Sequence, residues 1–190
     1  RLREHASTEL GTARTTLRLL ARGGQATAHE VATACDALSR QTASIMQTVI
    51  GDAVPDLAGV HGQTIVHVAP LSWQLINASV IAATLRCPVA SDMRAGDLAS
   101  GGHGAPITPL ADWILFRSSA NRAIVNLGGF CNITWLPSDT VEGVTGRDVC
   151  VCNQLLDAAA RMTLGTPYDH DGQHAAQGTP DPTLVASLGS

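Results

Sequence analysis

Lysine is missing altogether from this 190-residue chain, so its fixed side-chain cations are all arginines, and aromatic residues make up only 3% of it. Twelve arginines against sixteen carboxylates leave a formal net charge of -4. A basic stripe to neutralise phosphates and a set of rings to stack on bases are both lacking, which argues against nucleic-acid binding. No apolar run is long enough for a bilayer and no charged-then-apolar leader opens the chain, so neither membrane insertion nor secretion is indicated. The five cysteines, Cys35, Cys87, Cys131, Cys150 and Cys152, are odd in number and irregularly spaced. That pattern fits reduced thiols in a cytoplasmic protein better than a disulfide framework. A lone Cys150-x-Cys152 without a second ligand pair is expected to be buried thiol, not a metal site. No internal repeat is evident.

What is present is an apolar share of 45% with 15% charged residues, the composition of one large globular domain or two small ones. Residues 6–22 read as an amphipathic helix, with Leu10, Leu17 and Leu20 on one face and Arg14, Arg18 and Arg22 on the other. A longer helix fits 28–49, capped by Thr27 with Glu30 three residues on. From residue 56 onward short apolar runs bounded by glycine and proline read as strands: LAGV, TIVHV, CPVA, AIVNLGG and CNITWL. Helices are expected at 78–85, 109–117 and 154–162, a further strand near Val141, and a loop from Gly165 that enters a helix near Thr183. The alternation predicts an α/β fold, with a hairpin at Gly128-Gly129 making its sheets mixed. The polar residues 118–122 mark the expected domain boundary, giving 1–122 and 123–190.

Three constellations carry chemistry. Asp92, Arg94 and Asp97 follow a strand-like CPVA run and precede Gly101, Gly102 and Gly104. Open α/β folds place ligand groups at such a strand exit, although a salt-bridged glycine turn has the same pattern. His61, Gly62, Gln63 and Thr64 put an imidazole, an amide and a hydroxyl at another strand end, groups that suit a sugar and equally suit a satisfied structural site. Asn126-Leu127-Gly128-Gly129-Phe130-Cys131-Asn132 is a glycine hairpin flanked by two asparagines, which simple turn chemistry also produces.

In this order and spacing the motifs resemble those of the anhydro-N-acetylmuramic acid kinase family, within the sugar kinase, heat-shock protein and actin superfamily. The family shows HGQT, DFRxxDxAxGGxGAP, NIGGxAN, DTGPGN and GKPYDxDG. This chain has His61 to Thr64, then Asp92-Met93-Arg94 with Asp97 and Gly101 to Pro106, then Asn126 to Asn132, then Asp148 with Asn153 and Asp157. Gly165, Pro167, Tyr168, Asp169, Asp171 and Gly172 follow as the fifth motif. The resemblance implies an actin-like (ribonuclease H-like) two-lobed fold with mixed sheets flanked by helices. Residues 1–122 would belong to a first, sugar-facing lobe and 123–190 to the start of a second.

The implied activity opens the 1,6-anhydro ring of anhydro-N-acetylmuramic acid with water and phosphorylates the sugar at O6, using ATP with Mg2+, in cell-wall recycling. By motif position Asp148 is the base, and Gln63, Thr64 and Arg94 hold the sugar, Arg94 through its lactyl carboxylate. His61, Asp92 and Asp97 support them, while Gly128, Gly129 and Asn153 face the nucleotide. The resemblance leaves a homodimer of the full-length parent open. Two departures shape the expectation. The family's Thr-Gly-Pro-Gly is replaced by Val149-Cys150-Val151-Cys152, expected as a β-branched, thiol-bearing turn unable to cradle phosphate as glycines do. The family's GxMSGTSxDG motif would lie ahead of Arg1 and its C-terminal lobe after Ser190. The chain is therefore expected to be a fragment, incomplete at both ends, with exposed apolar surface. The alternative is a non-catalytic actin-like remnant that binds an amino sugar or a protein partner.

Overall fold

The computed structural model describes residues 4–138 and 140–188. The chain is a mixed α/β protein that divides into two compact units, residues 1–107 and 108–190. The polar segment 118–122 thus falls inside the second unit, after a helix that the boundary read from composition would assign to the first.

In the first unit α1 (Arg14–Ala21) and α2 (Ala28–Ile50) lead into β1 (Ala58–Gly59) and a hairpin of β2 (Gln63–Val68) and β3 (Leu71–Leu75). Then come α3 (Ala78–Leu85), β4 (Val89–Ala90) and the short α4 (Ala95–Ala99). The capping box of α2 forms as its sequence predicts: Thr27 Oγ1 accepts from the Glu30 N–H and the Glu30 carboxylate accepts from the Thr27 N–H at 2.7 Å. Those bonds from Thr27 hold the Glu30 carboxyl below its usual range.

The helix expected over 6–22 begins only at Arg14. The Gln41 side chain of α2 donates to the Glu9 carbonyl and accepts from the Gly11 N–H, which removes the backbone groups a helix would need there. β3 and α4 carry no periodicity long enough to be read in advance.

Two apolar clusters hold the unit together. Ala43, Ala58, Val60, Ile81, Leu85 and Cys87 pack where α2 and α3 cover β1. Ala13, Leu17, Ala34, Leu38 and Leu75 pack α1 and α2 against the hairpin. Ser39, fully buried, links the layers: its Oγ donates to the Cys35 carbonyl and accepts from the N–H of Asn77, the N-cap of α3.

The second unit has α5 (Thr108–Phe116), an antiparallel meander of β5 (Arg122–Leu127), β6 (Phe130–Leu136) and β7 (Thr145–Val151), then α6 (Asn153–Thr163). Two 3-10 turns, His170–Gly172 and Ala175–Gln177, and α7 (Pro182–Leu188) follow. α5 is fastened to the sheet by buried Thr134, whose hydroxyl donates to Asp112 at 2.8 Å. The strand expected near Val141 starts at Thr145, after a turn over residues 141–143. Val149 to Val151 are therefore the end of β7 and not a turn, because Phe130 and Cys131 pair with Val151 and Cys150. Of the thiols expected to be buried there, Cys150 is exposed and Cys152 half-buried. Many apolar side chains of this unit are exposed, among them Val125, Leu127, Trp135, Leu155 and Met162. Among the described residues no helix is long and apolar enough to cross a membrane.

Candidate functional site

β1 and β4 run parallel in register, Ala58 opposite Val89 and Gly59 opposite Ala90, and the Val60 N–H extends the ladder to the Ala90 carbonyl at 2.9 Å. His61 and Asp92 each stand two positions past the end of their strand. The HGQT and Asp-Met-Arg motifs therefore leave the same edge of a parallel pair side by side, although 30 residues of chain separate them. His61, Gly62 and Gln63, with Thr42 and Met46 of α2, line a cleft of about 410 Å3. His61 is half-buried, with Nδ1 2.9 Å from the Gly62 carbonyl. Gln63 is exposed, and its amide donates to the Thr64 carbonyl at 3.3 Å.

Thr64 pairs with Gln74 across the hairpin, so the two side chains share a face. Gln74 is 8% exposed and anchored by an Nε2 bond to Ser72 Oγ at 2.8 Å, while its Oε1 is buried without a partner. This acceptor beside Thr64 escapes a reading of the sequence in which β3 goes unrecognised.

Arg94 is half-buried, and no ion pair joins it to Asp92 or Asp97 among the described residues. Its partner is a backbone group: Nη1 donates to the Gly104 carbonyl at 2.6 Å. Asp97 holds the other side of the same residue, accepting from the Gly104 N–H at 2.6 Å. Asp97 thus acts on Arg94 through Gly104. The Arg94 Nε is buried and has no acceptor, so a planar anion reaching that edge would satisfy a donor that nothing now satisfies. Asp92, exposed and at a φ of 53°, makes the turn from β4 into α4.

In the second unit, pairing aligns Asn126, Asn132 and Asp148 in one row across three neighbouring strands. Directly opposed residues point to the same face, so Asn126 and Asn132 share a face with the exposed Asp148, Asn132 standing between the other two. A register shift at Cys131/Asn132 brings Asp148 into that row. Gly128, Gly129 and Asn153 also come together: the Gly129 and Gly128 carbonyls accept from the N–H groups of Cys152 and Asn153, both at 3.0 Å. Asn153 Nδ2 donates to the Leu127 carbonyl at 3.3 Å. A separate groove of about 730 Å3 along α6 joins the fourth and fifth motifs, lined by Asn153, Asp157, Tyr168, Asp169 and Gly172 among others.

A family model for anhydro-N-acetylmuramic acid kinase matches residues 1–190. The chain belongs to the anhydro-N-acetylmuramic acid kinase family. Curated proteins of that name are similar to it: one from Salinibacter ruber is 39% identical over 145 residues, 70% of this chain and 36% of the relative. One from Chromohalobacter salexigens is 40% identical over 159 residues, covering 78% and 43%. One from Coxiella burnetii is 42% identical over 135 residues, covering 68% and 36%. The chain thus spans 36% to 43% of the length of these relatives.

Within this family member, the residues on the hairpin side fit a phosphate-bearing nucleotide in part. The Gly129 N–H has no acceptor among the described residues, and a Cβ on Gly129 would stand 3.4 Å from the Gln154 amide nitrogen. The Gln154 amide, which the motifs do not single out, thus stands beside the turn. The Cys152 and Asn153 N–H groups, however, are already spent on the hairpin carbonyls.

Proposed function

We propose that the chain carries the sugar-binding part of an ATP-dependent anhydro-N-acetylmuramic acid kinase built on the actin-like, ribonuclease H-like fold, its two units being portions of the two lobes. The observation that carries the reading is the Arg94 guanidinium, held at Gly104 with its Nε unpaired, at the strand edge from which His61 to Thr64 also emerge. A carboxylate-bearing sugar matches that set. Arg94 takes the lactyl carboxylate, while Gln63 and Thr64 offer an amide and a hydroxyl to the sugar's polar groups. Asp97 and Gly104 keep the guanidinium in place.

Asp148 takes a proton from the water that opens the anhydro ring, standing in one row with Asn132 and Asn126 on the sheet. Gly128, Gly129 and Asn153 would hold the nucleotide, which with Mg2+ supplies the phosphoryl group for O6. A second reading, a non-catalytic remnant that binds an amino sugar or a protein partner, is favoured by one feature. The strand-paired Cys150 and Val151 and the committed N–H groups at the start of α6 leave less open backbone for phosphate than a glycine loop does.

Thermal unfolding of the whole chain with anhydro-N-acetylmuramic acid, with Mg-ATP, and with Arg94→Ala tests both. Ligand at a hundredfold excess over its dissociation constant stabilises by about 2.7 kcal/mol, a rise of roughly 5–10 °C for a chain of this size. A sugar-dependent rise that Arg94→Ala abolishes supports the sugar site. An added response to Mg-ATP supports the kinase over the remnant. A cooperatively folded protein that responds to neither ligand overturns the reading.

A further inference from the structure

The replacement of the family's Thr-Gly-Pro-Gly by Val149-Cys150-Val151-Cys152 has a consequence on the sheet. Cys150 lies directly opposite Cys131 on the neighbouring antiparallel strand. Such opposed pairs have Cα atoms about 4.5–5.5 Å apart and side chains on one face, inside the about 4.4–6.8 Å range that a disulfide spans. Cys150 is exposed and Cys131 half-buried, so one thiol is open to a small oxidant and the other stands behind it. Cys152 lies beyond the end of β7 with no strand partner, its Sγ 3.7 Å from Asn153 Oδ1 and its backbone N–H bonded to Gly129. Cys35 and Cys87 lie in the first unit.

We propose that Cys131 and Cys150 form a peroxide-sensitive dithiol, a modification site on the face of the second unit's sheet. The Cys150 thiolate attacks one oxygen of hydrogen peroxide, the O–O bond breaks, and hydroxide leaves to give the sulfenic acid. The Cys131 sulfur then attacks the Cys150 sulfur, the S–O bond breaks and water leaves, with the Cys131 proton going to that oxygen. Two electrons pass from the two sulfurs to the peroxide, which ends as one water and one hydroxide, the hydroxide becoming a second water with the proton that the Cys150 thiol released on ionising. Partial burial first, then the neighbouring Cys150 and Cys152, push the Cys131 thiol up, which makes it the resolving partner and Cys150 the attacking one. The cross-link closes β6 to β7 beside the register shift that brings Asp148 opposite Asn132, so oxidation clamps the strand that carries Asp148.

The test is peroxide titration of the full reduced chain, with thiol counting in denaturant and peptide mass mapping. Two of the five thiols should disappear together and return with dithiothreitol. Trypsin cuts at Arg147, between the two cysteines, so the product is a cross-linked peptide pair 2 Da lighter than its reduced parts. Cys150→Ser and Cys131→Ser should each abolish it and Cys152→Ser should retain it, with circular dichroism confirming that each variant is folded. Should Cys131→Ser unfold, Cys150→Ser, at an exposed position, decides alone. Cross-links that require Cys152, irreversible over-oxidation of Cys150 without a cross-link, or no loss of thiols would each overturn the assignment.

Discussion

A methyl group on Gly102 would overlap the Asp97 carboxylate, so Gly102→Ala must push Asp97 off the Gly104 N–H that it accepts at 2.6 Å. A hydrogen bond to a charged group contributes about 1.5–3 kcal/mol, and because Asp97 is exposed solvent screening reduces this to about 1–2 kcal/mol. Asp97→Ala should therefore raise exchange of the Gly104 amide about 5- to 30-fold, and Gly102→Ala should do the same through Asp97. The double variant should be no worse than either single one, a coupling of about 1–2 kcal/mol. Gly101, one residue earlier, has a φ of +87° and open space around it. Gly101→Ala should cost about 1–2 kcal/mol from backbone strain alone and keep that cost when Asp97 is already alanine. Amide exchange by NMR, with urea unfolding of the same proteins, gives both readouts. If the Gly102→Ala and Asp97→Ala effects add, or if Gly102→Ala leaves the Gly104 amide as protected as before, Asp97 does not secure this turn and its link to Arg94 fails.

Ser39→Ala removes the acceptor for the Asn77 N–H at the head of α3, and leaving that donor unsatisfied should cost about 1–3 kcal/mol in urea unfolding; a loss under about 0.5 kcal/mol, the range of ordinary surface changes, would show that the link between α2 and α3 is dispensable. Asp169 is held below the usual carboxylate range by the Ala175 N–H, at 2.9 Å, with the His174 N–H adding to it. A lowered folded-state value means that this stabilisation is present above the unfolded value and is lost as pH falls through the folded one. The turns over 170–177 should therefore open on acidification, seen as deprotection of the Ala175 amide, and Asp169→Asn should flatten that profile. An unchanged profile in the variant would assign the acid sensitivity to another group.

The motifs were legible because each is a local run with a fixed backbone task, and their order was enough to point to the family. Which motifs meet was not. That His61 and Asp92 share an edge depends on β1 and β4 pairing, two residues each, across 29 residues of intervening chain. Arg94 and Asp97 likewise meet only through a shared backbone partner, Gly104, whose place is set by a loop with little pattern of its own.

The sequence by itself determined the α2 capping box, the span of α3 and the glycine hairpin at Gly128-Gly129, because each rests on contacts within a few residues and on side-chain spacing. Tertiary structure alone decided that α1 starts at Arg14, where Gln41 from another helix claims the backbone of Glu9 and Gly11. It decided too that Val149 to Val151 form a strand, since Val-Cys-Val can follow either course until β6 supplies the pairing. The row of Asn126, Asn132 and Asp148 exists for the same reason: register is a property of neighbouring strands, and a one-residue slip would send each of those side chains to the opposite face.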